Sequence, residues 1–186
     1  MYTLLLALIY IAFISLGLPD SLLGSGWPVM HETFGVSISS MGIVTMVISG
    51  CTILSSLFSD RLTRKLGASI VTVISVFLTA VALLGFSFAT EFWMLIILAI
   101  PYGLGAGAID AALNNYVALH YTSRHISWLH CFWGVGAIVS PFVMSYALEN
   151  SVWRDGYRIV AFIQLGIGLL LLLSLSVWKV NKSKSV

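Results

Sequence analysis

Two aspartates, Asp20 and Asp110, stand inside long stretches of apolar residues. On insertion scales an acidic side chain at the centre of a membrane helix costs about 2.5 to 3.5 kcal/mol, so it is retained where it faces a bundle interior or a water-filled cavity. Carboxyl groups in such places serve as proton relays and solute sites. The two residues are therefore predicted to couple proton movement or to bind a substrate. The alternative is a structural acid that is hydrogen-bonded to a neighbouring helix.

Amide side chains accompany the second aspartate. Asn114 follows Asp110 by four residues, so the two side chains share one face of a helix, and Asn115 is adjacent. Carboxylate and amide groups together accept and donate hydrogen bonds, as the hydroxyl groups of a sugar or polyol require. Asn114 and Asn115 are therefore predicted to contact a substrate, although asparagines in membrane helices also hydrogen-bond to other helices.

Three further side chains extend the predicted substrate site. Trp133 follows His130 by three residues, which places an aromatic ring beside an imidazole on one helix face. Such a pair could meet the C–H face and the hydroxyl groups of a sugar together, although a packing tryptophan and a satisfied histidine are the alternative interpretation. Gln164 is expected to line the same cavity. No histidine spacing matches a metal-binding helix face, and no motif predicts a metal, a cofactor or a catalytic residue, so the chain is not expected to be an enzyme.

These residues are set in a chain that is too apolar for a soluble protein. Of its 186 residues 59% are hydrophobic and only 9% are charged, and the net charge is +2. Soluble domains carry roughly 25% charged residues. The composition therefore excludes a soluble enzyme and a disordered tail, and the small net charge argues against a nucleic-acid partner. The lipid bilayer is the expected surrounding, and the class is an all-α polytopic membrane protein.

Charged residues divide the chain into six predicted spans within a single domain, residues 1–186. Each span is near or above the ~20 residues that cross a ~30 Å hydrocarbon core. Their approximate bounds are residues 3–27, 38–58, 67–89, 92–120, 126–148 and 158–178.

Basic residues predict the orientation of these spans. If the chain starts inside, seven basic residues lie in inner segments, namely Arg61, Arg64, Lys65, Arg124, Lys179, Lys182 and Lys184. Only Arg154 and Arg158 lie outside. This positive-inside bias predicts cytoplasmic termini in a plasma or inner membrane.

Two short segments resemble each other. Residues 17–23 and 107–113 both read Gly-x-x-Asp-small-x-Leu, and they contain Asp20 and Asp110. The first lies in span 1 and the second in span 4, which cross the membrane in opposite directions. The chain is therefore predicted to be a three-plus-three inverted repeat.

Prolines and glycines mark predicted hinges and helix contacts. Pro19 should kink span 1 beside Asp20, because it removes an intrahelical hydrogen bond. Small residues let membrane helices approach closely. The predicted hinge and packing positions are Pro19, Gly24, Gly103, Gly107, Gly134 and Pro141.

A charged segment, residues 60–67, is predicted to be the loop between spans 2 and 3. It places one acid among three basic residues, which suggests an ion-pair latch that gates the cytoplasmic face. The residues concerned are Asp60, Arg61, Arg64 and Lys65. The alternative is a loop that only satisfies the positive-inside rule.

The segment around Asp60 resembles the signature loop of the major facilitator superfamily, Gly-x-x-x-Asp-Arg/Lys-x-Gly, with Ser56 in place of the first glycine and the second displaced to Gly67. The stretch from Gly103 to Tyr116 is similar to the fucose and glucose permease branch, where a span-4 Glu is followed four residues later by Asn. Asp110 and Asn114 take those places, and Asp20 matches the span-1 acid. The resemblance implies proton coupling by the two acids and sugar binding.

The resemblance covers one six-span half of a usual member, which has two halves. It implies a transporter that moves a small polar solute, expected to be a sugar, by alternating access with protons, as a homodimer or with a separate second half. An exporter of drugs or metabolites and a truncated or non-transporting membrane subunit are the alternatives.

Overall fold

The computed structural model describes residues 2–182, and all regular structure in that part of the chain is helical. Six segments are long and apolar enough to cross a membrane, which confirms the predicted all-α fold of a multi-pass membrane protein. The helices are α1 (Tyr2–Gly17), α2 (Leu22–Thr33), α3 (Met41–Leu66), α4 (Ala68–Phe88), α5 (Phe92–His120), α6 (Ser123–Asn150), α7 (Trp153–Leu173) and α8 (Leu175–Lys182), with a short 3-10 helix, Ile38–Ser40, before α3. Lys184, one of the basic residues predicted to lie inside, is outside the described residues.

The segment predicted as the loop between spans 2 and 3 is helical, so that prediction was wrong. Helix α3 continues to Leu66, and only Gly67, with a φ of 87°, separates it from α4. The charges that suggested a loop favour the helix instead. Asp60 and Arg64 form an ion pair of 2.9 Å at a spacing of four residues, and basic side chains stabilise the carboxyl end of a helix.

The last span also starts earlier than predicted, because α7 begins at Trp153 rather than at residue 158. Asp155 lies in its first turn, where a negative charge complements the helix dipole. Arg158 pairs with Asp155 over 2.7 Å on the same helix. Arg154 and Arg158, the two basic residues predicted to lie outside, are therefore in the first turns of α7.

The first span is built from two helices. Together α1 and α2 make the crossing segment Thr3–Thr33, which is interrupted at residues 18–21. Pro19 lies in the interruption and has no N–H to donate. The chain turns there through backbone hydrogen bonds from Asp20 to Gly17 (3.2 Å) and from Leu22 to Pro19 (3.1 Å). The interruption leaves Asp20 between two helix ends.

Contacts between the helices agree with an inverted repeat. Helix α1 packs against α6, α3 packs against α5, and α4 packs against α7. These are contacts of span 1 with span 5, of span 2 with span 4, and of span 3 with span 6. Exchanging the first three spans with the last three converts the first contact into the second and leaves the third unchanged, as the symmetry requires.

Glycines lie where these helix pairs cross. A side-chain carbon on Gly17 would collide with the backbone of Trp133 in α6, and one on Gly107 would collide with the backbone of Thr52 in α3. Gly17 and Gly107 are equivalent residues of the two repeated segments. Each aspartate therefore follows, by three residues, a glycine at which two helix backbones approach closely.

Hydroxyl groups reinforce the crossing of α3 with α5. Side chains of α3 donate to backbone carbonyl oxygens of α5 at distances of 2.5 to 3.2 Å. The pairs are Thr52 with Gly103, Ser55 with Leu104, Ser56 with Gly107, and Ser59 with Ala108. These hydrogen bonds depend on the close approach that the glycines of α5 allow.

Two of the predicted packing glycines make no close helix contact within the described chain. A side-chain carbon on Gly134 would meet no atom within 4 Å, and one on Gly24 would approach only Met41, at 3.9 Å. Gly136, two residues along α6, is the one that α1 approaches, because its added carbon would collide with the Ile14 carbonyl. Successive residues of a helix point in different directions, so a glycine pair alone does not identify the contact face. Helix α6 runs without interruption through Pro141.

Candidate functional site

The carboxylate of Asp20 joins three parts of the bundle. Its Oδ1 accepts a hydrogen bond from the hydroxyl of Tyr102 in α5, and its Oδ2 accepts one from the indole Nε1 of Trp133 in α6, both at 2.8 Å. Asp20 itself lies in the interruption between α1 and α2. Hydrogen bonds to a charged carboxylate are stronger than those between neutral groups. An ionised Asp20 therefore holds the break in the first span against α5 and α6.

Asp110 is the second acid of this cluster. The side chain of Asn114 donates to its Oδ1 at 3.0 Å and to its backbone carbonyl at 3.0 Å. Asp110 is partly buried and lies within electrostatic range of both His130 and Asp20. The two aspartates, predicted from separate apolar stretches, are thus brought together with a histidine of α6.

The cluster opens on the surface of the described chain. Asp20 and His130 are exposed, and 38% of the Trp133 side chain is accessible. The His130 ring meets Phe13 of α1 edge-on, with ring centroids 6.2 Å apart. The carboxylate of Asp20, the imidazole of His130 and the indole of Trp133 are therefore each accessible at the surface of the described chain.

Gln164 lies apart from this cluster. It is 1% exposed, accepts a hydrogen bond from Thr79 at 3.0 Å and donates one to the carbonyl of Ser15 at 2.6 Å. Both ends of its amide are thus used to join α7 to α4 and α1. A buried amide with these partners is a structural link, so its predicted place in the cavity lining was wrong.

Asn115 also points away from Asp110. It lines a separate cleft of about 410 Å³ between the carboxyl ends of α3 and α5, together with Arg64 and His120. Adjacent residues of a helix are separated by about 100°, which places Asn114 and Asn115 on different faces. Only Asn114 belongs to the aspartate cluster.

The predicted latch does not connect two helices in the described chain. The Asp60–Arg64 pair lies within α3, and both side chains are more than half exposed. Exposed pairs of this kind contribute little to stability. Arg61 lies over the ring of Phe58 of the same helix, with 5.9 Å between its guanidinium carbon and the ring centroid. A gate at this end would need a partner beyond the described contacts.

Tyr102 was missed in the sequence. It is 4% exposed, and its hydroxyl reaches Asp20 from the helix that carries Asp110. A tyrosine in an apolar span needs a partner for its hydroxyl group, and this need was the available signal. The partner could not be identified without the packing of α5 on the break of the first span.

Comparison with known families decides the assignment of the chain. Residues 9–185 match the Major Facilitator Superfamily. The chain belongs to the major facilitator superfamily. Among curated relatives, Bypass of stop codon protein 6 of Saccharomyces cerevisiae is 25% identical to it over 165 residues. That match covers 87% of this chain and 33% of the yeast protein, so the chain spans about a third of the length of this relative.

The side chains of the cluster determine what chemistry is available there. Among the described residues no group of three or more His, Cys, Asp or Glu side chains could hold a metal ion. The cluster combines two carboxyl groups, which can accept and release protons, with amide, imidazole and indole groups that can form hydrogen bonds.

Proposed function

We propose that this chain forms one six-helix half of a transporter that moves a small polar solute, a sugar, by alternating access coupled to protons. The proposal is supported by Asp110 lying within electrostatic range of both Asp20 and His130, and by the exposure of Asp20 and His130 at the surface of the bundle. Intramembrane acids are expensive to insert, and ones that face a cavity are typical of proton relays. Asp20 and Asp110 are the proton-coupling residues of the proposal.

Solute recognition is assigned to three side chains of the same cluster. Asn114 offers an amide that can donate and accept, His130 offers ring nitrogens, and Trp133 offers an aromatic face beside them. Sugars present hydroxyl groups next to apolar C–H faces, and this mixture suits them. The similarity of the span-4 stretch to the fucose and glucose permease branch supports the same class of solute.

A second six-helix half completes the transporter in this proposal. It is either another copy of this chain or a separate chain. A bundle with an even number of spans has both termini on one side, so two bundles can lie in the same orientation around a shared cavity. The termini are proposed to be cytoplasmic, in the plasma or inner membrane, because the basic residues gather at that end.

Uptake into lipid vesicles tests the proposal. The purified chain is reconstituted, an inward proton gradient is imposed, and accumulation of a panel of labelled sugars is followed. We expect at least one sugar to accumulate above its external concentration, and an ionophore that collapses the proton gradient should abolish this accumulation. If no sugar accumulates, with the chain alone or co-reconstituted with a second six-span half, the proposal is contradicted.

A further inference from the structure

Asp20 accepts hydrogen bonds from two donors of different kinds, a tyrosine hydroxyl and an indole N–H. This difference determines how the contacts change when Asp20 is protonated. The inference rests on the proposed function, in which Asp20 takes up a proton. An ionised carboxylate only accepts hydrogen bonds, so both the Tyr102 hydroxyl and the Trp133 indole can be satisfied. A protonated carboxyl group has become a donor through one oxygen, so the same two contacts cannot both persist unchanged.

The chemistry of the two donors limits what can follow. If the proton sits on Oδ1, the Tyr102 hydroxyl has to turn and accept, and its own hydrogen then has no acceptor. If the proton sits on Oδ2, the indole N–H of Trp133 is left with the hydroxyl oxygen of the carboxyl group, which is a weaker acceptor than a carboxylate oxygen, and the indole cannot turn to accept because it is only a donor. One donor is left unpaired or weakly bound in either case.

The burial of the two donors decides which of them gives up its hydrogen bond to Asp20. Tyr102 is 4% exposed, so an unpaired hydroxyl there would stay away from water at a free-energy cost. Trp133 is 38% exposed, so its N–H can turn to water or to a solute hydroxyl once it is free. The cheaper state keeps Tyr102 on Oδ1 and releases Trp133.

Few other charged groups face this site. Asp110 from α5 and His130 from α6 are the titratable groups within reach, and Tyr157 of α7 lies within electrostatic range of Tyr102. Helix α4 contains no charged residue, and α3 has none before Asp60. The charged or titratable groups to consider beside Asp20 are therefore Asp110 and His130.

We infer that Tyr102 is a positioning residue that makes proton uptake by Asp20 release Trp133, and so loosens α6 from the break between α1 and α2. In the ionised state the break, α5 and α6 are held together through one carboxylate. In the protonated state α5 keeps its contact and α6 loses its own. Proton binding to Asp20 thereby lets α6 move relative to the break between α1 and α2.

Nuclear magnetic resonance of the indole N–H groups tests the inference. The full chain, with ¹⁵N-labelled tryptophan, is placed in lipid nanodiscs and measured at about pH 8 and about pH 5. Trp133→Phe assigns the Trp133 signal. We expect acid to move that signal to the position that it has in Asp20→Asn at both pH values. Trp27 and Trp153 serve as internal references, because their indoles donate to the Ile38 carbonyl and the Thr33 hydroxyl.

Two tyrosine variants test the part assigned to Tyr102. In Tyr102→Phe the remaining acceptor oxygen of protonated Asp20 is free for Trp133, so the acid-induced shift should be lost. Tyr157→Phe is the matched control, because it removes another buried tyrosine hydroxyl, one that donates to the Met30 sulfur at 3.7 Å rather than to Asp20. The shift should be retained there, whereas an effect of general loosening would appear in both variants.

The inference is overturned if the Trp133 signal does not respond to acid or to Asp20→Asn, or if Tyr102→Phe keeps the full shift. Proton-driven uptake by the same wild-type preparation separates this result from the proposed function. Uptake without release of Trp133 contradicts only the inference. Release of Trp133 without uptake supports the inference and contradicts the proposed function.

Discussion

The two aspartates of the cluster have different partners, and this difference sets what each can do. Asp20 is held by donors from α5 and α6, whereas the side-chain partner of Asp110 is Asn114 on its own helix. A change at Asp20 therefore alters contacts between helices. A change at Asp110 alters charge and local hydrogen bonding while the contacts between helices remain.

At this scale the two neighbouring asparagines should behave differently. Asn114→Ala should weaken solute binding about tenfold, since a lost hydrogen bond to a solute costs roughly 1 to 2 kcal/mol. Asn115→Ala is the matched control and should leave binding unchanged, because its side chain lines the separate cleft. Calorimetric titration of each variant with the transported sugar measures the two affinities. Equal losses in the two variants would contradict the assignment.

Among the elements, the six spans could be predicted because apolar length is a local property of the chain. The ends of the helices were harder to predict. Charges at residues 60–65 suggested a loop, yet they pair along α3 and extend it. The same limit applied to the cluster, where the aspartates and Asn114 were visible as unusual residues. The partner Tyr102, and the choice of Gly136 rather than Gly134 as the contact glycine, depended on how α5 and α6 pack against the first span, which no local pattern contains.

Two glycines of α6 provide a test of this packing. Gly136→Ala should destabilise the bundle by roughly 1 to 3 kcal/mol, because the added carbon collides with the backbone of α1. Gly134→Ala should be neutral or stabilising by up to about 1 kcal/mol, since it meets open space and alanine favours the helix. Thermal unfolding in detergent compares the two variants. A less stable Gly134→Ala variant, or an unaffected Gly136→Ala variant, would contradict the described crossing.

For the whole molecule, the distribution of buried surface indicates where a second half could pack. In the most apolar 18-residue stretch of each helix, only 6% is buried within the chain for α3, against 56% for α4. Helix α3 also packs on α5, the helix that carries Tyr102 and Asp110. We therefore expect α3 to lie at the junction of the two proposed halves.

Crosslinking tests this arrangement. Met46→Cys introduces a thiol on the exposed side of α3, where the native residue is 76% exposed, and should form a disulfide-linked dimer in native membranes. Leu173→Cys, at the end of α7 where the native residue is 82% exposed, is the control and should stay monomeric. Cys51 and Cys131 are first replaced by serine, because both are free thiols. Dimers formed equally by both variants would indicate random collision, and dimers formed only at Leu173 would place the partner elsewhere.

Proton coupling through Asp20 and Asp110 is most directly tested by measuring uptake with Asp110→Asn in reconstituted vesicles. Replacement by asparagine keeps the shape of the side chain and removes its proton. We predict that this variant loses accumulation of the solute against its gradient under an inward proton gradient, while Glu91→Gln, which removes a carboxylate outside the spans, keeps it. Full concentrative uptake by Asp110→Asn would contradict the account.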